Sequence, residues 1–171
     1  ALNGVNTFTG NTNINEGKLI INSAQSLGAS KNVVFQNATS LDLASSIAVA
    51  QQVQLDGNAT VNALANSTLN GVVSGAGSLS KIGIGSLTLN GANTYTGNTL
   101  VNQGKVIVTN AQSLGVNNQA VFQDGTELET AAALSLSNNI KLDGATTLHS
   151  LTNNSTLNGV VSGVGSLTKD G

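Results

Sequence analysis

The chain has no cysteine, proline, methionine, tryptophan or arginine, and aromatics make up only 2% of its 171 residues. Without cysteine there is no disulfide scaffold and no thiolate metal site. Without proline no strand loses a backbone donor, which suits strands that pair on both sides. So few aromatics leave a core of Val, Ile, Leu and Ala, and hydrophobic residues at 39% supply it. Charge is scarce as well: six lysines face eight carboxylates, for a formal net charge of −2. The lysines are dispersed rather than gathered into a stripe, so no nucleic-acid partner is expected. Disordered chains combine low hydrophobicity with high net charge, and this chain does not. No apolar run is long enough to span a bilayer, so no direct membrane insertion of this segment is expected. The opening Ala1-Leu2-Asn3-Gly4 lacks a positive leader and starts in mid-pattern, which suggests a piece of something longer.

What the chain does have is repetition. Leu2-Asn3-Gly4-Val5-Asn6-Thr7-Phe8-Thr9-Gly10-Asn11-Thr12 returns as Leu89-Asn90-Gly91-Ala92-Asn93-Thr94-Tyr95-Thr96-Gly97-Asn98-Thr99, 87 residues on. The same offset aligns Glu16-Gly17-Lys18 with Gln103-Gly104-Lys105, Ala24 to Gly28 with Ala111 to Gly115, and Leu55-Asp56-Gly57 with Leu142-Asp143-Gly144. One extra residue near Asn153-Asn154 shifts the register before Ser67 to Gly75 meets Ser155 to Gly163. The chain therefore reads as a single elongated domain over 1–171, with one internal repeat at about 2–87 and a second at about 89–171.

Each unit is longer than a single solenoid coil. Short aliphatic pieces such as Ser86-Leu87-Thr88-Leu89, Val106-Ile107-Val108 and Ile140-Lys141-Leu142 are separated by Gly, Asn or Asp. Strands this short suit a coil of roughly 20–25 residues with about three strands, hence about four coils per repeat. A sandwich would call for longer strands and more aromatic core. The fold expected is all-β, a parallel β-helix. Leu87, Leu89, Val121, Leu128, Leu142 and Leu148 should point inward, Asn70, Thr88 and Asn102 outward, and corner Asn side chains should form ladders.

The run from Leu79 to Val106 contains Lys81-x-Gly83-x-Gly85-x-Leu87, then Leu89-x-Gly91-x-Asn93-Thr94-Tyr95-Thr96-Gly97, then Gly104. It resembles the autotransporter-associated β-strand repeat, or passenger-associated transport repeat. A partial copy is carried by Asn6, Thr7, Phe8, Thr9, Gly10 and Gly17, with phenylalanine in the tyrosine position. The resemblance implies a right-handed β-helix from the passenger of a type V secreted protein, exported or displayed on the surface of a Gram-negative bacterium. It implies a structural stalk that supports secretion, folding and display, with neighbouring coils of the same protein as partners. An adhesin segment is the alternative, through self-association or attachment to host glycans or proteins. A glycan-active enzyme is the remote one.

Chemistry-bearing residues are few, and no catalytic, cofactor or metal role is expected. Glu127 and Glu129 flank Leu128 and should face outward about 7 Å apart, close to a glycosidase spacing. Their counterparts are Ser40 and Asp42, so the pair is not repeated. His149 is the only histidine and reads as a solvent-facing residue. Gly83 and Gly85 lack the helix that a phosphate loop needs and read as turn glycines. Asp56-Gly57 and Asp143-Gly144 read as turn pairs rather than calcium ligands. Thr7-x-Thr9 and Thr94-x-Thr96 recur too seldom for an ice-binding face and read as a corner whose aromatic covers core.

Overall fold

In the computed structural model residues 1–150 and 154–171 are described, and they form a parallel β-solenoid. The chain visits three faces in turn. The first holds Thr12–Ile14, Asn32–Phe35, Gln52–Leu55 and Val73–Gly75. The second is an eight-stranded sheet from Lys18–Ile21 to Val161–Gly163. The third is a seven-stranded sheet from Ala48–Val49 to Leu167–Asp170. Beyond Val73–Gly75 the first face continues as irregular backbone, with Thr94 N–H bonded to Val73 C=O and Thr96 N–H to Gly75 C=O. Later in the chain a two-stranded sheet, Ser135–Leu136 with Thr156–Leu157, takes that place in the coil order. Eight stacked strands make a column about 34 Å long.

Stacking fixes what each position can be. Residues one coil apart sit about 4.8 Å from one another, so an inward side chain lies on the inward side chain of the next coil. Leu87, Val106, Leu128 and Leu148 form one such column, and Val101, Phe122 and Leu142 belong to another. Val121 is an exception to expectation. It is in register with Leu100 and Lys141 on the outer side of the second face, and Ala120 and Phe122 beside it point inward.

Corner polar residues close the coils. Asn37 Oδ1 accepts from Asn58 N–H, Asn58 Oδ1 from Ser78 N–H, Ser78 Oγ from Asn98 N–H, and Asn98 Oδ1 from Gln119 N–H. Four successive corners are thus satisfied by the same device, each coil capping an orphan donor of the next.

The coil runs between 19 residues (Leu87 to Val106) and 22 (Lys18 to Ser40), at the short end of the roughly 20–25 expected. Most steps are 20, so an 87-residue offset advances the chain four coils and roughly one-third of another. The consequence is a rotation. Thr12–Ile14 lies on the first face and its counterpart Thr99–Val101 on the second; Lys18–Ile21 lies on the second and Lys105–Val108 on the third. Equivalent residues of the two copies never stack on one another. The extra residue expected near Asn153-Asn154 involves Asn153, which lies outside the described residues.

Because alternation decides burial, Leu87→Ala should cost about 2–5 kcal/mol of stability and Thr88→Ala no more than about 0.5 kcal/mol. Urea unfolding followed by circular dichroism measures both; equal effects would contradict this register.

Candidate functional site

The Lys-x-Gly-x-Gly segment builds an unusual site. Lys81 pairs with Val61 on one side and Val101 on the other, so a lysine occupies an inward aliphatic column. It is 0% exposed. Its stem replaces a leucine in the stack, and its ammonium turns into the next corner. There Nζ donates to the carbonyls of Ile82 (3.2 Å), Gly83, Gly85 and Gln103 (2.9 Å). No carboxylate pairs with it among the described residues. A Cβ on Gly104 would stand 2.9 Å from that Nζ and 2.7 Å from Gly83 O, so the last glycine of the motif makes room for its first residue. Burial lowers the Lys81 pKa from 10.5 to about 8. Lys169, in register with Leu148 on the terminal strand, makes the equivalent donation to Asp170 O and Gly171 O while remaining exposed.

The Asn-Thr-Tyr-Thr segment ties three coils together. Asn93 is fully buried; its Oδ1 accepts from Val73 N–H at 2.8 Å and its Nδ2 donates to Ser113 O at 2.6 Å. Asn6 makes the same donation, to Ser26 O at 2.7 Å. Tyr95 is buried and its hydroxyl lies 2.6 Å from Thr99 Oγ1, which itself donates to Leu114 O. Burial raises the phenol above its ordinary pKa, partly offset by the Thr99 hydrogen bond. Thr94 and Thr96 point to solvent, as do Thr7 and Thr9, whereas Phe8 remains 39% exposed.

The acidic pair and the histidine come together on the outer side of the third face. Lys105 Nζ lies 2.8 Å from Glu129 and 3.1 Å from Glu127, and His149 Nε2 lies 3.2 Å from Glu127. Asp170 reaches His149 Nδ1 at 3.6 Å. The hydrogen bond from Lys105 to Glu129 is the main cause of a raised lysine pKa. His149 thus lies on the outer side as expected, half-buried against Glu127 and Asp170. Strand geometry lets Lys105 bridge both carboxylates, a link that sequence spacing alone does not reveal. Its counterpart Lys18 pairs with Asp42 at 3.0 Å, so this lysine–carboxylate pair is kept in both copies even though Glu127 is not. Beside the cluster lies an open depression of about 310 Å³, lined by Asn66, Ile84, Ser86, Gly104, Lys105, Ile107 and Glu127.

The recurrent aspartates are also engaged locally. Asp56 accepts from Gln36 and Gln54, and Asp143 from Gln123 and Lys141. The Lys141 hydrogen bond holds the Asp143 carboxyl below its ordinary pKa. Among the described residues no group of three or more His, Cys, Asp or Glu is placed to hold a metal ion.

Two comparisons bear on these features. Residues 1–21 and 79–108 match the passenger-associated transport repeat, the second stretch containing Lys81, Asn93, Tyr95 and Gly104. Over 114 residues, 65% of this chain, it is 38% identical to the "Adhesin BmaC autotransporter" of Brucella suis biovar 1 (strain 1330). The aligned stretch is 3% of that relative's length. No solved structure matches the chain.

The caged lysine yields a pH test. Its folded pKa of about 8 lies below its unfolded value of 10.5, so between those values the unfolded state binds more protons. Stability referred to a Lys81→Met variant should therefore rise from pH 8 toward pH 10, and be flat from pH 6 to 7.5. The variant itself should lose about 1–3 kcal/mol at pH 7, having left backbone carbonyls without donors. Urea midpoints of both proteins across that range decide it; parallel pH curves would show a lysine with an unshifted pKa.

Proposed function

Since the chain carries the passenger-associated transport repeat, we propose that it is a solenoid segment of an adhesin-type autotransporter passenger and takes part in attachment. The observation that carries this reading is the extent of the similarity to the Brucella adhesin. The aligned stretch is longer than the two repeat matches together, so it runs into the segments between them. The reading places the parent protein at the surface of a Gram-negative bacterium, secreted or anchored there.

The same geometry supports the stalk role as a second contribution. Each coil presents a complete set of strand edges to the next, so coils add one by one onto a formed end, a favourable order for a chain that emerges progressively. The repeat is a structural module, and the carboxylates nearest a concavity are bound to Lys105 rather than set apart as an acid and a base.

Beads coated with the purified chain separate the two roles. Attachment to mammalian cells should exceed that of uncoated beads several-fold. Attachment equal to the control would overturn the adhesin reading and leave the stalk. Clumping of the beads themselves, without cell attachment, would assign the surface to self-association.

A further inference from the structure

A concavity of about 910 Å³ lies at the corner between the first and second faces, walled by residues 116–119 and 137–139. Another, of about 450 Å³, is walled by residues 29–32 and 50–52. At the 87-residue offset every lining residue of the smaller groove falls on a lining residue of the larger. One groove is thus built twice, rotated by one face.

The construction is the same at both sites. Gly28 and Gly115 adopt positive φ, and a Cβ there would come 2.7 Å from Phe8 O and 2.6 Å from Tyr95 O. The absent side chain lets the Ala-Gln-Ser-Leu-Gly turn press onto the aromatic corner and leaves a trough above it. On the floor, Gln51 Nε2 donates to Gly28 O at 3.3 Å and Asn138 Nδ2 donates to Gly115 O at 3.1 Å. The amide oxygens are left over: Gln51 Oε1 is buried without a donor, and Asn138 Oδ1 receives none among the described residues. Around the larger groove the side chains of Gln112, Asn117, Gln119 and Ser137 make no hydrogen bond among the described residues. No charged residue lines it.

We propose that the groove at residues 116–119 and 137–139 binds a neutral oligosaccharide, and that its counterpart at 29–32 and 50–52 is a second such subsite. The proposal rests on the adhesin reading and names its ligand. Amides both donate and accept, which matches hydroxyls that do the same. A lining without charge offers nothing to a sulfate or uronate. An uncharged amide rim loses less on desolvation than ionic groups would. The volume lies within the usual range of about 300–1,000 Å³ for small-ligand sites. Its aromatic is buried beneath the floor, so no ring stacks on the sugar and a single site is weak. Lys31 replaces Asn118 in the smaller groove and widens its tolerance toward acidic units. The two grooves are about 21 Å apart along the axis and a third of a turn around it, too far for one short saccharide to span.

The ¹⁵N-labelled chain is titrated with gluco-, manno- and galacto-configured neutral hexasaccharides, with a heparin hexasaccharide as the charged probe. Expected are saturable shifts of the Gln112, Asn117 and Gln119 side-chain amides with at least one neutral probe, with a dissociation constant in the millimolar range. Ser137→Trp, at an exposed rim position, should abolish these shifts, and Ala50→Trp should leave them in place, with circular dichroism unchanged in both. No saturable shift at tens of millimolar, shifts that persist in Ser137→Trp, or preference for heparin at this groove would each overturn the proposal. Beads bearing the Ala50→Trp/Ser137→Trp double variant keep the two readings distinct. If they still attach to cells, the groove is removed from attachment while the adhesin reading stands.

Discussion

Everything in this molecule follows from the requirement that each coil fit onto its neighbour in parallel register. A step of about 20 residues stacks inward side chains on one another and sets corner residues such as Asn37, Asn58, Ser78 and Asn98 under backbone donors of the next coil. Such a stack tolerates substitution on its outside and very little within. It also explains the composition. A narrow interior shared by three faces favours Val, Leu, Ile and Ala over aromatics; Phe35 and Phe122 fill inward positions at strand ends, and Tyr95 lies where the first face is irregular.

The transport-repeat motif reads as one consequence of that constraint. Its lysine enters an aliphatic column yet keeps its ammonium on four backbone carbonyls, two of them from the glycines that follow it. Its asparagine supplies hydrogen bonds to the coils on either side where the first face stops being a regular strand. Together they hold a coil whose regular ladder is interrupted. A buried cation without a counter-ion costs free energy, and the backbone carbonyls that Lys81 satisfies at this corner offset that cost.

Much of this was legible beforehand. Short aliphatic runs between turn residues specify a parallel solenoid, and Leu87, Leu89, Leu128 and Leu142 point inward by alternation alone. Lys81 was not legible, because a lysine in a strand normally reads as surface; only its neighbours Val61 and Val101 show the column it occupies. Val121 misled for the opposite reason, since an apolar residue on the outer side carries no mark of its direction in a run of three apolar residues. The ion cluster of Lys105, Glu127, Glu129 and His149 joins residues from three successive coils, which local spacing cannot bring together. The rotation between copies was hidden too, because it depends on the remainder when the 87-residue repeat is divided by the coil length, and a step of 20 rather than 22 residues decides it.

That rotation has a functional consequence for a shaft built of such units. Were the repeat a whole number of coils, each groove and each lysine–carboxylate pair would line up along one side, giving a flat adhesive strip and three dissimilar faces. An extra third of a coil instead winds the same chemistry around the axis, and three units return it to its starting face. A surface of that kind has no preferred side, so a shaft can meet a partner from any direction without turning. If the grooves bind as proposed, neighbouring copies of the site would engage separate ligands, and avidity would arise from many ligands around the shaft rather than from one ligand spanning two grooves. The pairing of Lys18 with Asp42 on the second face and of Lys105 with Glu129 on the third is the same step taken by the charged residues. One lysine–carboxylate pair and one groove shape are thus kept through the rotation, while charged residues such as Lys31 and Glu127 are not.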